Sequence, residues 1–173
     1  MEYGISRKIY KWVCYFALMF VSVILETTIF AKFSVFGSRP QLVPFIVASI
    51  SLLEGGEEGA IAGVCGGFLC DALYSGYEGF YTIVLPILAV GICFMNTVMY
   101  WKNYGMAVLD WIVLVIVLQL VHFCIYMLVA GNGTFLSVFR VVPGEIVATI
   151  PFTPVLYIII AKMSKAFFKA RED

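Results

Sequence analysis

The sequence predicts an all-α integral membrane protein, a compact bundle of six transmembrane helices, and three observations lead to this fold class. First, 62% of the 173 residues are apolar and the mean hydropathy is +1.00, whereas a soluble domain is about 45–50% apolar. Second, the apolar residues fall into six runs, most of them close to the length that crosses a hydrocarbon core of about 30 Å. Third, the connections between the runs are short, so we expect one polytopic membrane domain over residues 1–173.

The first two spans are predicted over residues 12–30 and 41–53. The first follows a short polar lead and is long enough to remain in the membrane as a helix, without a cleavage site after it. Pro40 and its glycine and serine neighbours predict a loop before the second span. Thirteen residues rise only about 20 Å, so the second span is either shielded by neighbouring helices or lies where the bilayer thins.

The third and fourth spans are predicted over residues 59–74 and 80–100. An acidic turn, Glu-Gly-Gly-Glu-Glu at 54–58, precedes the third span, and its carboxylates suit the positive end of a helix dipole. Pro86 lies inside the fourth span and predicts a kink, which membrane helices tolerate when neighbours satisfy the freed carbonyl group.

The fifth and sixth spans are predicted over residues 106–130 and 143–161. We expect Pro143 in the first turn of the sixth span and Glu145 near its N-terminus. Two further prolines predict a bend in that span, Pro151 and Pro154.

The basic residues predict the topology, because six spans place both termini on one side. The termini and the even-numbered connections carry eight basic residues: Arg7, Lys8, Lys11, Lys102, Lys162, Lys165, Lys169 and Arg171. The odd-numbered connections carry three: Lys32, Arg39 and Arg140. This asymmetry predicts that both termini are cytoplasmic.

One stretch, residues 55–80, organises the chain. Glycines recur every four residues at Gly55, Gly59, Gly63 and Gly67, and Asp71 continues the same register. Small residues at this spacing form a helix ridge that another helix can approach closely. The ridge either packs inside the bundle or docks a helix of another protein.

Asp71 needs a partner, because an aspartate at the centre of a membrane helix costs roughly 2.5–3.5 kcal/mol on insertion scales. Three roles remain open for it: a cap at the membrane boundary, a buried structural or partner-contacting group, or ion coupling. We interpret Glu26, near the far end of the first span, as an interfacial side chain that reaches water.

Several polar residues inside the spans are candidates to face the bundle interior: Glu26, Asn96, Gln119, His122 and Tyr126. His122 is the only histidine and is interpreted as a hydrogen-bonded bundle residue. We expect no catalytic residue, no metal site, no cofactor and no nucleic-acid partner, because the chain has no nucleotide-binding loop, no soluble module and no paired catalytic motif. The five cysteines lie in apolar runs without metal-site spacing and are interpreted as small core residues.

These residues carry a resemblance to a known family. The stretch Gly63-Val-Cys-Gly-Gly67-Phe-Leu-Cys-Asp71 resembles the glycine-rich span of the MreD family of bacterial rod-shape-determining membrane proteins, which reads approximately Gly-Phe-x-x-Gly-Leu-x-x-Asp. Upstream, Glu26-Thr-Thr28 and Pro40-Gln-Leu42 resemble the family's polar-Thr-Thr and Pro-Asp-Leu segments, with Glu26 and Gln41 departing from the commoner Gln and Asp. The likeness covers about residues 25–91.

The resemblance implies a non-enzymatic subunit of the cell-elongation machinery in the cytoplasmic (inner) membrane of a bacterium. Its implied partners are MreC above all, with MreB, RodA and the elongation transpeptidase in the wider complex. The implied fold is similar to the substrate-binding subunits of energy-coupling-factor transporters. A substrate-binding subunit of a vitamin or small-metabolite transporter is therefore the alternative function, although the short loops offer few convergent polar groups for a ligand.

Overall fold

A computed structural model describes residues 2–28, 40–73, 79–98, 103–130 and 136–169. Within these ranges the regular structure is helical throughout, so the all-α prediction is confirmed. The helices are α1 (Glu2–Thr28), α2 (Leu42–Glu54), α3 (Gly56–Leu73), α4 (Phe80–Val98), α5 (Tyr104–Ala130), α6 (Leu136–Thr149) and α7 (Thr153–Lys169). A 3₁₀ turn, Ile150–Phe152, joins α6 to α7, so the two form one broken segment and the bundle has six segments. Most of the predicted loop residues at 32–40, 75–79 and 131–142 lie outside the described ranges.

The described segments have the length and surface of a membrane protein. Three are long and apolar enough to cross a bilayer, namely Ile9–Thr28, Tyr104–Ile125 and Val142–Ala166, and Leu42–Glu54 and Phe80–Asn96 are shorter apolar helices. Large apolar side chains point outward; Phe94 is 77% exposed and Ile87 is 65% exposed. Such a surface is favourable against lipid, so the bundle is an integral membrane protein.

Helix α2 is the centre of the bundle. Every residue from Leu42 to Leu52 is buried, and α1, α3, α4, α5 and α7 all pack against the helix. Phe45 meets Trp111 of α5 edge to face, with ring centroids 6.0 Å apart. Because neighbours surround α2 on all sides, its 13 residues need not match the thickness of the bilayer.

The last segment begins earlier than its prolines predict. Helix α6 starts at Leu136, so Pro143 lies inside the helix and Glu145 is not in its first turn; both expectations are wrong. A proline within a membrane helix is tolerated where neighbours satisfy the backbone. Pro151 lies in the 3₁₀ turn and Pro154 in the first turn of α7, and the Ile150 carbonyl accepts a hydrogen bond of 2.8 Å from the Thr153 hydroxyl.

Candidate functional site

Gly67 and Asp71, one turn apart on α3, both act on the first turn of α4. A Cβ atom added at Gly67 would lie 2.4 Å from the Tyr81 carbonyl oxygen and 2.6 Å from Thr82 Cα, so only glycine permits this approach. The approach brings the α4 backbone within reach of Asp71. Its Oδ1 accepts the Tyr81 N–H at 3.0 Å, and its Oδ2 accepts the Thr82 N–H at 2.8 Å and the Thr82 hydroxyl at 2.6 Å.

This contact supplies α4 with a cap that its own sequence lacks. The first backbone hydrogen bond of α4 runs from the Ile83 N–H to the Gly79 carbonyl, which places Gly79 at the N-cap position. Gly79 has a φ of +84°, in the left-handed region, and carries no side chain that could accept a hydrogen bond. Asp71 therefore performs from α3 the task of an N-cap side chain, and its negative charge lies at the positive end of the α4 dipole.

The remaining ridge glycines pack within the chain. A Cβ at Gly63 would lie 2.7 Å from Pro86 N and Cα in α4, and one at Gly59 would lie 2.6 Å from Ser51 Cβ in α2. Gly55 is different and its assignment to the ridge is wrong: it ends α2 with a φ of +115°, precedes α3, and would place its Cβ in open space. Its glycine is required by backbone conformation and not by close packing.

Glu26 caps the N-terminus of α2. Its side chain is buried, at 2% exposure, so the expectation that it reaches water is wrong. One carboxylate oxygen accepts the Leu42 N–H and, at 3.2 Å, the Val43 N–H. Pro44, the next residue, has no N–H to satisfy.

Thr149 and Glu145 of α6 supply a further hydrogen bond at the N-terminus of α2. The Thr149 hydroxyl accepts the Gln41 N–H at 3.0 Å and donates to the Glu145 carbonyl at 2.7 Å. The backbone N–H groups of Gln41, Leu42 and Val43 at the start of α2 therefore all have acceptors, which are side chains of α1 and α6. Buried in an apolar bundle, such donors would each cost about 1–3 kcal/mol if left without an acceptor.

Three of the other predicted inward residues have described side chains. The Gln119 amide donates to both carboxylate oxygens of Glu145, at 2.7 and 2.8 Å, which joins α5 to α6. The Asn96 amide donates to Asp110 Oδ2 at 2.7 Å, which joins α4 to α5. The ring centroids of His122 and Phe80 are 5.3 Å apart. Tyr126 lies in α5, but its side chain is outside the described part of the chain.

An ionic cluster at the opposite end of α2 was not among the predicted sites. Lys11 of α1 forms a salt bridge with Glu54, and its Nζ lies 3.7 Å from Glu58. The Tyr15 hydroxyl donates to Glu54 Oε1 at 2.5 Å, and the Glu54 side chain is 1% exposed. The sequence signal for this cluster was the acidic turn beside a basic first span, but nothing in the spacing pairs those two segments.

A comparison with protein-family models identifies the family of the chain. The model described as rod shape-determining protein MreD matches residues 6–167 of the chain. The chain belongs to the MreD family. No curated protein and no solved structure matches it.

Family membership makes the chain a rod-shape-determining membrane protein and accounts for the motif from which the resemblance was inferred. In this MreD-family chain the Gly-x-x-x-Asp register is one structural device, since the glycine admits the start of α4 and the aspartate caps it. The described residues contain no group of three histidine, cysteine, aspartate or glutamate side chains arranged to hold a metal ion.

Proposed function

We propose that the chain is a non-enzymatic scaffold subunit of the cell-elongation complex, which maintains rod shape and supports lateral peptidoglycan synthesis together with MreC. The match to the rod shape-determining family over residues 6–167 is the observation that carries this proposal. MreC is the expected direct partner, with MreB, RodA and the elongation transpeptidase in the wider assembly. The protein lies in the bacterial inner membrane with both termini in the cytoplasm.

The use made of the polar side chains favours a scaffold over a catalyst or a carrier. Asp71 and Glu26 accept hydrogen bonds from helix N-termini. Glu145 accepts a hydrogen bond from a side-chain amide of α5, and Asp110 accepts one from a side-chain amide of α4. Glu54 forms a salt bridge with Lys11. Each of these carboxylates joins two helices. A rigid bundle with its polar groups directed inward leaves an apolar outer surface on which the membrane helices of partners can pack.

The partner surface lies away from the glycine ridge, because α4 and α2 already cover Gly59, Gly63 and Gly67. The outer side of the same hairpin remains open, with exposed apolar residues on both helices: Ile61, Val64 and Phe68 on α3, and Ile83, Ile87 and Phe94 on α4. The three residues on α3 lie on its outward side, and α1, α2 and α4 pack against its other sides.

Complementation in a depleted host tests the proposal. Cells that lack the protein should lose rod shape, and the wild-type gene should restore both the shape and co-purification of MreC with the tagged chain. Phe68→Gln, on the outer face, should lower co-purification while leaving the amount of folded protein unchanged, whereas Leu109→Gln on the outer face of α5 should not. Depleted cells that remain rods but fail to take up a vitamin would contradict the proposal and favour a transporter subunit.

A further inference from the structure

A groove of about 580 Å³ runs between α1 and α7 on the outside of the bundle. Its lining is apolar apart from Tyr10 and Lys162, and includes Cys14, Ala17 and Val21 of α1 and Ala166 of α7. The small side chains of Ala17 and Ala166 leave room between the helices. This volume is within the range of pockets that bind small molecules.

The groove begins at the membrane boundary and ends near the middle of the bilayer. Tyr10 lies beside Lys11, the last basic residue before the apolar run of α1. On α7, Lys162 is the first residue after the apolar run that ends at Ala161. From Tyr10 to Val21 the helix rises about 16 Å at 1.5 Å per residue. Half of a hydrocarbon core of about 30 Å is about 15 Å, so the groove has the length of an acyl chain in one leaflet.

The positive charge of Lys162 indicates which polar group a molecule in the groove would carry. Lys162 lines the groove directly after the apolar run that ends at Ala161, and its side chain is exposed. A lysine on its long apolar stem at this depth extends its ammonium group to the headgroup region. Basic pockets between transmembrane helices on the cytoplasmic side of a membrane bind anionic lipid headgroups.

We propose that this groove binds one anionic phospholipid, with an acyl chain between α1 and α7 and the headgroup phosphate on Lys162. A transmembrane helix of a partner fits the groove less well. Such a helix crosses the whole bilayer, whereas the groove extends along α1 only from Tyr10 to Val21. The site lies away from the α3–α4 face to which the partner was assigned, so it is independent of the proposed function.

Photolabelling in vesicles of defined composition tests the site. The purified full chain is reconstituted in phosphatidylcholine vesicles with a trace of phosphatidylglycerol that carries a diazirine in its acyl chain, or with the matching phosphatidylcholine probe. The adducts are mapped by peptide mass spectrometry. We expect the phosphatidylglycerol probe to label the groove segments of α1 and α7 more than the exposed α4 positions Ile87 and Phe94.

Substitutions separate the headgroup from the acyl chain. A basic residue near the surface contributes about 1 kcal/mol to binding of an anionic lipid, which is about fivefold in affinity. Lys162→Gln should therefore lower phosphatidylglycerol adducts about fivefold and leave phosphatidylcholine adducts unchanged, and Ala17→Phe should lower both. Lys165→Gln, an exposed lysine on α7 outside the groove, is the matched control and should change neither.

Two results would overturn the proposal. Equal labelling of the groove by the two probes in the wild-type chain would exclude headgroup recognition. Adducts as abundant on Ile87 and Phe94 as in the groove would show ordinary contact with bulk lipid. Lys162→Gln changes only a surface-reaching side chain, so an unchanged thermal midpoint in detergent would show that its effect on labelling does not come from misfolding.

Discussion

Asp71 and Glu26 each perform, from a neighbouring helix, the task that an N-cap side chain performs within its own helix. The N-cap residues of α4 and α2 are Gly79, which has no side chain, and Gln41, whose side chain makes no capping hydrogen bond. In water such N–H groups would bind solvent, but a membrane bundle offers none. These two carboxylates are therefore compatible with apolar spans because they accept hydrogen bonds from backbone donors.

The first prediction concerns Asp71. Both of its oxygens accept hydrogen bonds from α4, whereas asparagine keeps one acceptor and turns an amide donor toward the second site. Asp71→Ala should destabilise the bundle by about 0.5–2 kcal/mol, the usual cost of a lost cap, and Asp71→Asn should cost less. The measurement is the thermal midpoint of the purified protein in detergent. An asparagine variant as unstable as the alanine variant would show that charge, and not acceptor geometry, is what α4 requires.

The second prediction concerns Glu26. Glu26→Leu removes the acceptor of two buried N–H groups at the start of α2, each costing about 1–3 kcal/mol when unsatisfied. We expect little folded protein from this variant, as measured by the monodisperse fraction after purification. Glu26→Gln retains an oxygen acceptor and should restore most of it.

Glu57→Gln serves as the control for Glu26, since Glu57 is exposed in the first turn of α3. It should behave as the wild type. If Glu26→Leu were recovered in the same amount as this control, the capping role of Glu26 would be refuted.

At the scale of the elements, the third prediction concerns the α3–α4 pair. Gly63→Ala and Gly67→Ala place a methyl group against α4 backbone atoms that no side-chain rotation can move away. Overpacking of this kind typically costs about 1–3 kcal/mol. Both variants should lower the thermal midpoint and the yield of folded protein.

Gly91→Ala is the matched control within the same helix pair. Gly91 lies in α4, and a Cβ there would meet nothing within 4 Å. Because alanine favours helix by up to about 1 kcal/mol over glycine, Gly91→Ala should be neutral or stabilising. Equal losses at all three positions would mean that the glycines serve backbone flexibility and not close contact.

The fourth prediction concerns the contact between α1 and α2. The Glu54 side chain is 1% exposed and binds both Lys11 and Tyr15. Lys11→Met leaves a buried carboxylate without its cation, which typically costs about 3–5 kcal/mol. The double variant Lys11→Met with Glu54→Gln removes both charges and should recover much of that loss in the same thermal measurement. A double variant that loses the sum of the two single losses would show that the two side chains do not interact.

Sequence patterns predicted the helices better than their partners. The sequence alone predicts the ridge of Gly59, Gly63 and Gly67 with Asp71 at its end, because a four-residue spacing within one helix places these residues on one face. The pairing of Asp71 with Tyr81 and Thr82, and of Glu26 with Leu42, depends on how separate spans approach, which no local period encodes. Gly55 was misassigned because its spacing fits the ridge although α3 begins one residue later.

At the scale of the whole molecule, the interhelical contacts constrain which ends of the segments share a side. Lys11, in the N-terminal half of α1, binds Glu54 and approaches Glu58, so the N-terminal half of α1 and the acidic turn lie at the same end of the bundle. Glu26, near the other end of α1, binds the start of α2. Helices α1 and α2 are therefore antiparallel, as successive membrane spans should be.

The fifth prediction places these ends in the cell. Lys11 and the acidic turn lie at one end of the bundle, and the predicted spans assign eight of the eleven basic residues to that side, so it should face the cytoplasm. In a background without the five native cysteines, Ser38→Cys and Ser137→Cys should react with a membrane-impermeant maleimide in intact cells whose outer membrane is absent or permeabilised. Lys165→Cys should react only after lysis, because it lies at the opposite end of the last segment. Labelling of Lys165→Cys in intact cells, with protection of Ser38→Cys, would invert the topology and would place the Lys162 lipid groove in the outer leaflet.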